Sequence, residues 1–280
     1  MSVAASRGHA IQQIFGRTKV VIGVVHCLPL PGAPDYEGAP IQTLLARALA
    51  DARAYADAGC DGLIIENHGD IPFLKPGDIG PETPAMLAVI ADRVREAAGV
   101  PIGINVLANA AIHALAVAKA AGAAFIRVNQ WANAYVANEG LIEGEAARAL
   151  RYRAALHARD IRVFADAHVK HGAHAIVADR PVAEQVRDVE FFNADAVIAT
   201  GQRTGDAATA EELAAFRAAT ALPLLVGSGV TEANVADMLA KVDGIIIASA
   251  LKRDGVWWQP VDAGRATSFM RHVEAIRRGL

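Results

Sequence analysis

The sequence predicts a single (β/α)8 barrel, the TIM-barrel architecture. Three observations carry this. Short apolar runs rich in Val and Ile alternate eight times with Ala-rich amphipathic runs. Strict alternation of strand and helix implies parallel strands joined by right-handed crossovers. The chain has 280 residues, and one such barrel takes roughly 250. An open doubly wound sheet is the alternative arrangement of the same repeats, and eight units favour closure. Residues 1–280 are therefore expected to form one domain, with 1–18 as an N-terminal extension.

The units read in order. The first predicted strand, Val20–Cys27, is followed by the helical pattern Thr43–Ala58, which stops at Gly59. The second pairs Gly62–His68 with Thr83–Ala98 and stops at Gly99; Pro101 then precedes the third, Ile102–Leu107 with Ala110–Ala121, which stops at Gly122. A glycine after the last helical residue takes the left-handed cap conformation, and a proline at a strand start costs no central ladder bond. The fourth unit is Phe125–Gln130 with Gly144–Ala158, the fifth Arg162–His168 with Val182–Phe192, and the sixth Ala196–Gly201 with Ala210–Thr220. Pro223 precedes the seventh, Leu224–Gly227 with Glu232–Ala240, and the eighth is Gly244–Ser249 with Asp262–Arg278.

Composition excludes several classes. No uninterrupted apolar run reaches the ~18 residues of a membrane span, although 53% of residues are hydrophobic. Met1–Thr18 has no apolar core of a signal peptide. A net charge of −3 argues against a general nucleic-acid binder. Cys27 and Cys60 are the only cysteines, so no disulfide framework is expected and a reducing cytosol fits.

Four strand-to-helix connections, Leu28–Gln42, Gly69–Glu82, Trp131–Glu143 and Val169–Pro181, exceed the usual length of roughly 2–6 residues. All follow strand C-termini, where barrel active sites lie; contacts within a homo-oligomer are the alternative use. Side chains alternate along a strand, so parity pairs Glu66 with His68, Arg127 with Asn129 and Asp166 with His168 on inward faces. Asn105 and Thr200 fit as further inward groups, and His26 stands near the end of the first strand. Strands covered on both faces should be nearly all apolar, and these residues break that rule at the functional end.

A carboxylate beside an imidazole suits general acid–base work. Asp166 or Glu66 is a candidate base, and His168 or His26 a candidate acid. Arg127 neutralises a carboxylate or binds a substrate anion. Asn67, Asn105, Asn129, Lys170 and Thr200 are candidate substrate contacts; Lys170 also stands as an option for Schiff-base chemistry. Glu66, Asp166 and the nearby histidines offer mixed ligands to a divalent metal, though no His-x-x-x-His or Cys-x-x-Cys pair marks one. A structural ion-pair network is the competing use of the same charges. The stretch Thr200–Asp206 reads as a substrate loop, and Trp257-Trp258 as packing or subunit contact.

Leu224–Thr231 reads Leu-Leu-Val-Gly-Ser-Gly-Val-Thr, and Gly244–Lys252 reads Gly-Ile-Ile-Ile-Ala-Ser-Ala-Leu-Lys. Each apolar run ends abruptly in small residues, whose backbone can approach an anion closely. Such turns on the last two strands form the usual phosphate site of a barrel. Gly227, Ser228, Gly229 and Ser249 are the candidate phosphate contacts.

From Lys19 to about Arg277 the chain resembles the BtpA family, which includes SgcQ-like proteins. The carrying segments include Val21–His26 with Pro29–Gly32, Gly62–Asn67 with Gly69–Phe73, Gly103–Leu107, Phe125–Asn129, Ala165-Asp166 with Val169–His171, Gly227–Thr231 with Asn234, and Ser249 with Leu251-Lys252. Ala248 departs from the glycine of the family pattern. The resemblance implies a phosphate-binding barrel. Two readings of function follow. One is an enzyme acting on a phosphorylated sugar or nucleoside-like molecule, as isomerase, lyase or hydrolase. The other is a non-catalytic biogenesis factor, since the family name comes from a role in photosystem I accumulation.

Overall fold

The computed structural model describes residues 9–201 and 207–279. Chain order begins with a short helix α1 (Ala10–Phe15), then β1 (Val20–His26), α2 (Ile41–Ala58), β2 (Gly62–Glu66), α3 (Glu82–Ala98), β3 (Ile102–Asn105), α4 (Ala111–Ala121) and β4 (Phe125–Val128). A hairpin of β5 (Ala134–Ala137) and β6 (Gly140–Glu143) interrupts the repeat. It resumes with α5 (Ala146–Ala155), β7 (Arg162–Asp166), α6 (Val182–Phe191), β8 (Ala196–Ala199), α7 (Ala210–Ala219), β9 (Leu224–Val226), α8 (Val235–Lys241), β10 (Gly244–Ile247) and α9 (Ala263–Arg277). The eight strands outside the hairpin pair in parallel in the closed order β1-β10-β9-β8-β7-β4-β3-β2. Closure runs through Val20 opposite Gly244 and Gly23 opposite Ile247. The predicted closed barrel is what the chain forms.

Alternation sorts the strand residues into two packed layers. Val21, Val25, Leu63, Ile65, Val163 and Ile245 face the helices. Val20, Ile22, Val24, Ile64, Phe125, Phe164 and Ile246 fill the interior. The Phe125 and Phe164 rings stack with centroids 4.4 Å apart. Gly103 makes room for them, since a Cβ there would lie 2.2 Å from the Phe125 ring. Helix α1 closes the N-terminal end of this interior. Ile11 is fully buried in the same cluster, and Phe15 packs edge-on against Phe125 at 6.0 Å. The expected N-terminal extension thus carries a plug whose six residues are too few for a clear sequence period.

Carboxylates latch the N-terminal ends of the strands. Asp61, Asp195 and Asp243 each precede a strand and accept the N–H of Val21, Val163 and Leu224 on the neighbouring strand, at 2.7, 2.9 and 2.8 Å. Arg277 pairs with Asp61, Arg153 and Arg162 with Asp195, and Arg217 with Asp243. These charges belong to the end of the barrel opposite the site, where they serve stability.

Each predicted strand runs one or two residues past its ladder, because its last residues leave the sheet for the loops. This matters at His168, which lies beyond β7 with φ of +56°, so strand parity does not govern it. The helix expected from Glu232 starts at Val235, because the Asn234 side chain accepts the Thr231 N–H and donates to the Gly229 carbonyl, both at 2.8 Å. Cys27 and Cys60 are buried and free. No helix among the described residues is long and apolar enough to cross a membrane.

Phe125→Ala should lower stability by about 3–5 kcal/mol, the usual cost of an aromatic cavity in a core. Denaturant unfolding measures it. A loss below 1 kcal/mol would show that the ring stack does not hold the barrel interior.

Candidate active site

Above the apolar interior, the inward ends of the strands turn polar. Arg127 on β4 and Asp166 on β7 make a two-point pair, with Nη2 to Oδ2 at 3.0 Å and Nε to Oδ1 at 3.3 Å. Asn129 donates a further hydrogen bond to Oδ2 at 3.0 Å. Burial pushes the Asp166 carboxyl above its ordinary range, and Arg127 and Asn129 pull it back. Both oxygens of Asp166 are engaged with Arg127 or Asn129, and the pair fixes the guanidinium.

Glu66 on β2 centres a second group. Its Oε2 accepts from Asn105 on β3 at 2.5 Å, and its Oε1 lies 2.8 Å from Nδ1 of His68 and 3.7 Å from Nε2 of His26. Against the upward push of burial, the His68 hydrogen bond and the charges around it hold Glu66 below its ordinary range. His26 is oriented from its far side, where Nδ1 lies 3.1 Å from the Trp257 carbonyl. A carbonyl only accepts, so Nδ1 carries the proton and Nε2 turns a lone pair toward Glu66. Burial drives the His26 pKa down to about 3, which keeps this ring neutral. The His26 and His68 rings stack at 4.5 Å, with Trp257 edge-on to both.

His26, Glu66 and His68 each offer one ligand atom, all within 4.8 Å of one another. This mixed nitrogen and oxygen set suits a divalent metal. The bond from His26 to a backbone carbonyl is the outer contact that metal-binding histidines make. Asp166, also considered as a ligand in the sequence, lies outside this set.

One cavity of about 270 Å³ joins the charged group to the two small-residue turns. Its walls include His26, Glu66, His68, Arg127, Lys170 and Trp257, together with Gly227–Thr231, Ala248 and Ser249. The Gly227 N–H donates to the Ala199 carbonyl at 2.8 Å, so it is not offered to an anion. Gly227 matters for space: a Cβ there would lie 2.8 Å from Ile198 and 3.2 Å from the Arg127 guanidinium. Gly229 has φ of +69°, and Asn234 pins its carbonyl. Ser249 opens a single turn of 3-10 helix. A neighbouring cavity of about 380 Å³ shares Glu66, His68, Arg127 and Lys170, and extends to Asn105, Asn129 and Tyr135 of the hairpin. The amide oxygens of Asn105 and Asn129 are buried without a hydrogen-bond partner.

The remaining predicted residues divide. Lys170 lines both cavities, with Nζ 3.5 Å from the Ser228 hydroxyl. Thr200, expected to meet substrate, is fully buried and accepts the Lys170 backbone N–H at 3.0 Å. Asn67 turns away from this mouth and binds the Leu107 N–H at 2.8 Å and Asp70 at 3.0 Å, tying two loops together. The His168 ring lies tilted against His174, with centroids 4.0 Å apart, and does not join the Glu66 and Arg127 groups. Of the expected loop Thr200–Asp206, residues 202–206 lie outside the described ones. Trp257, expected as packing or subunit contact, instead walls the site. His68 shares the inward parity of Glu66 and was legible by that signal alone; nothing local in the sequence marks Trp257.

Fold and site together define a TIM-barrel protein with a cavity lined by charged and small residues at its strand C-termini. The chain belongs to the BtpA family, which residues 17–275 match. It is 42% identical over 253 residues to a protein of Archaeoglobus fulgidus, covering 90% of this chain and 98% of that one. It is 38% identical over 269 residues to the photosystem I biogenesis protein BtpA of Synechocystis, covering 96% and 91%. Among solved structures, tryptophan synthase of Mycobacterium tuberculosis superposes with a TM-score of 0.59 at 16% identity, covering 95% of this chain and 96% of that one. Orotidine 5'-monophosphate decarboxylase of Methanocaldococcus jannaschii gives 0.56 at 12%, covering 92% and 99%. At these identities the likeness is one of fold.

Asp166→Asn removes the charge opposite a buried guanidinium. It should destabilise the protein by about 3–5 kcal/mol, as breaking one side of a buried pair does. Chemical denaturation checks this, and an unchanged midpoint would show that Arg127 finds its counter-charge elsewhere.

Proposed function

We propose that this barrel is an enzyme acting on a phosphorylated sugar or nucleoside-like molecule by acid–base chemistry. One observation carries the reading: the small-residue turns after β9 and β10 share a single cavity with the buried Glu66 group. A phosphate resting on Ser228, Gly229 and Ser249 leaves the rest of a small substrate over Glu66 and His68. Arg127 and Lys170 bring positive charge to the wall between them. His68, partly exposed and hydrogen-bonded to Glu66, is placed to pass a proton between that carboxylate and the cavity. The partnerless amide oxygens of Asn105 and Asn129 suit the hydroxyl donors of a sugar. We read the chain as one cytosolic domain, with small molecules rather than nucleic acid as partners and with self-association in reach.

The apposed His26 and Glu66 acceptors favour a second use of the same group, in which His26, Glu66 and His68 hold a divalent metal. Such an ion would supply Lewis-acid chemistry at the mouth. The likeness to the Synechocystis biogenesis protein supports a different class, a non-catalytic assembly role, in which the mouth residues are dispensable.

Two measurements separate these readings. Gly229→Val forces a branched side chain onto a left-handed backbone position. It should weaken binding of inorganic phosphate and of sugar phosphates by about tenfold or more, near 1.4 kcal/mol, and spare unphosphorylated sugars. Calorimetry reads the difference, and equal loss for both ligand classes would remove the phosphate site. Glu66→Gln keeps the shape of the side chain and deletes its charge. Once a metabolite screen supplies a turned-over substrate, this variant should lose roughly 10²- to 10⁴-fold in rate; intact turnover would take Glu66 out of the chemistry.

A further inference from the structure

We propose that Lys170 is a nucleophilic amine that forms an imine with the carbonyl of a phosphorylated aldehyde or ketone bound in the mouth cavity. This rests on the phosphorylated-substrate reading above and narrows it to carbonyl substrates.

Three lysines are drawn into the protein, and they differ in what holds them. Lys19 donates to the Val242 carbonyl at 2.9 Å, near the start of β1. Lys252 is fully buried and pairs with Asp51 at 3.5 Å. Lys170 has no ion pair among the described residues; its closest polar contact is the Ser228 hydroxyl at 3.5 Å. Its place is what distinguishes it. The amine stands where the two cavities meet, between the turn carrying Ser228 and the Glu66 group. Its backbone is fixed by the Thr200 hydroxyl. A cation in a desolvated wall beside a guanidinium gives up its proton more readily, and here these two effects outweigh the opposing pull of Glu66 and Asp166. Burial and then Arg127 bring its pKa down to about 8. A working share of neutral amine is therefore present near neutral pH.

The step balances without an added oxidant or reductant. The neutral Lys170 amine attacks the carbonyl carbon, and a carbon–nitrogen bond forms as the carbonyl oxygen takes up a proton. The proton on that oxygen comes from the attacking nitrogen; the resulting carbinolamine takes one further proton from solvent and loses water, leaving a protonated imine. The imine draws electrons from an adjacent carbon–hydrogen or carbon–carbon bond. Glu66 faces the same space and is placed to receive the proton released. Lyase or isomerase chemistry follows from such an intermediate, and simple ester hydrolysis does not require it.

The competing role for this lysine is a cationic phosphate contact, and reductive trapping tells the two apart. The protein is incubated with glyceraldehyde 3-phosphate or dihydroxyacetone phosphate, reduced with borohydride, and analysed by intact mass and peptide mapping. The expected result is one adduct per chain on the peptide carrying Lys170, absent in Lys170→Arg. Labelling should speed up as pH rises and level off above about 8. Unphosphorylated glyceraldehyde should label about tenfold more slowly or worse. Inorganic phosphate binding by calorimetry is measured in parallel on the same samples. Phosphate binding with no adduct at Lys170 would overturn the imine and leave the phosphate site standing. An adduct formed equally fast with and without a phosphate group would keep the nucleophile and overturn the phosphorylated substrate. Neither adduct nor phosphate binding would overturn both.

Discussion

A closed barrel gives a buried charge no route to water, so a guanidinium inside it needs a fixed partner. The Arg127–Asp166 pair meets that need, and the mouth is arranged around it. Arg127 lies on the wall shared by Glu66, Lys170 and the turn after β9. With Ile198 and Thr200, it leaves Gly227 little room for a side chain. The His68 hydrogen bond holds Glu66 down and burial pushes Lys170 down, and the Arg127 charge adds to both. One neutralised cation thereby contributes to the ionisation of both groups given chemical roles, while Asp166 and Asn129 keep it from moving.

The interior is stratified by the same constraint. Aromatic and branched side chains fill its lower part, where no polar group needs a partner. Hydrogen-bonding side chains occupy its upper part and satisfy one another in two groups, Arg127 with Asp166 and Asn129, and Glu66 with Asn105, His68 and His26. The carboxylates at the opposite end pair with arginines of the helices and strands and have no part in the mouth. Stability and chemistry are thus assigned to different ends of one sheet.

Much of this was legible in the sequence because strand parity is a strict geometric rule. It placed Glu66, Asn105, Arg127, Asn129 and Asp166 on inward faces and His26 only near the end of the first strand, and the two small-residue turns announced themselves by composition. It failed where a strand ended sooner than its apolar run. His168 keeps the parity of Asp166 in the sequence, yet two residues of loop backbone swing its ring onto His174. Thr200 and Asn67 kept the right neighbourhood but were taken up by backbone groups of the loops beside them. Trp257 was invisible for a different reason. Its value comes from a fold-back of the segment after β10 over the first strand, a contact between residues 231 positions apart that no local pattern encodes.

That long-range contact has a consequence for the newborn chain. During synthesis His26 emerges among the first residues and its partner carbonyl among the last. The strand that closes the barrel against β1, Gly244–Ile247, is also among the last to appear. A nascent or prematurely terminated polypeptide therefore carries the carboxylate and both imidazoles without the wall that orients them. The wall that orients His26 is thus complete only when the segment after β10 has folded back against β1.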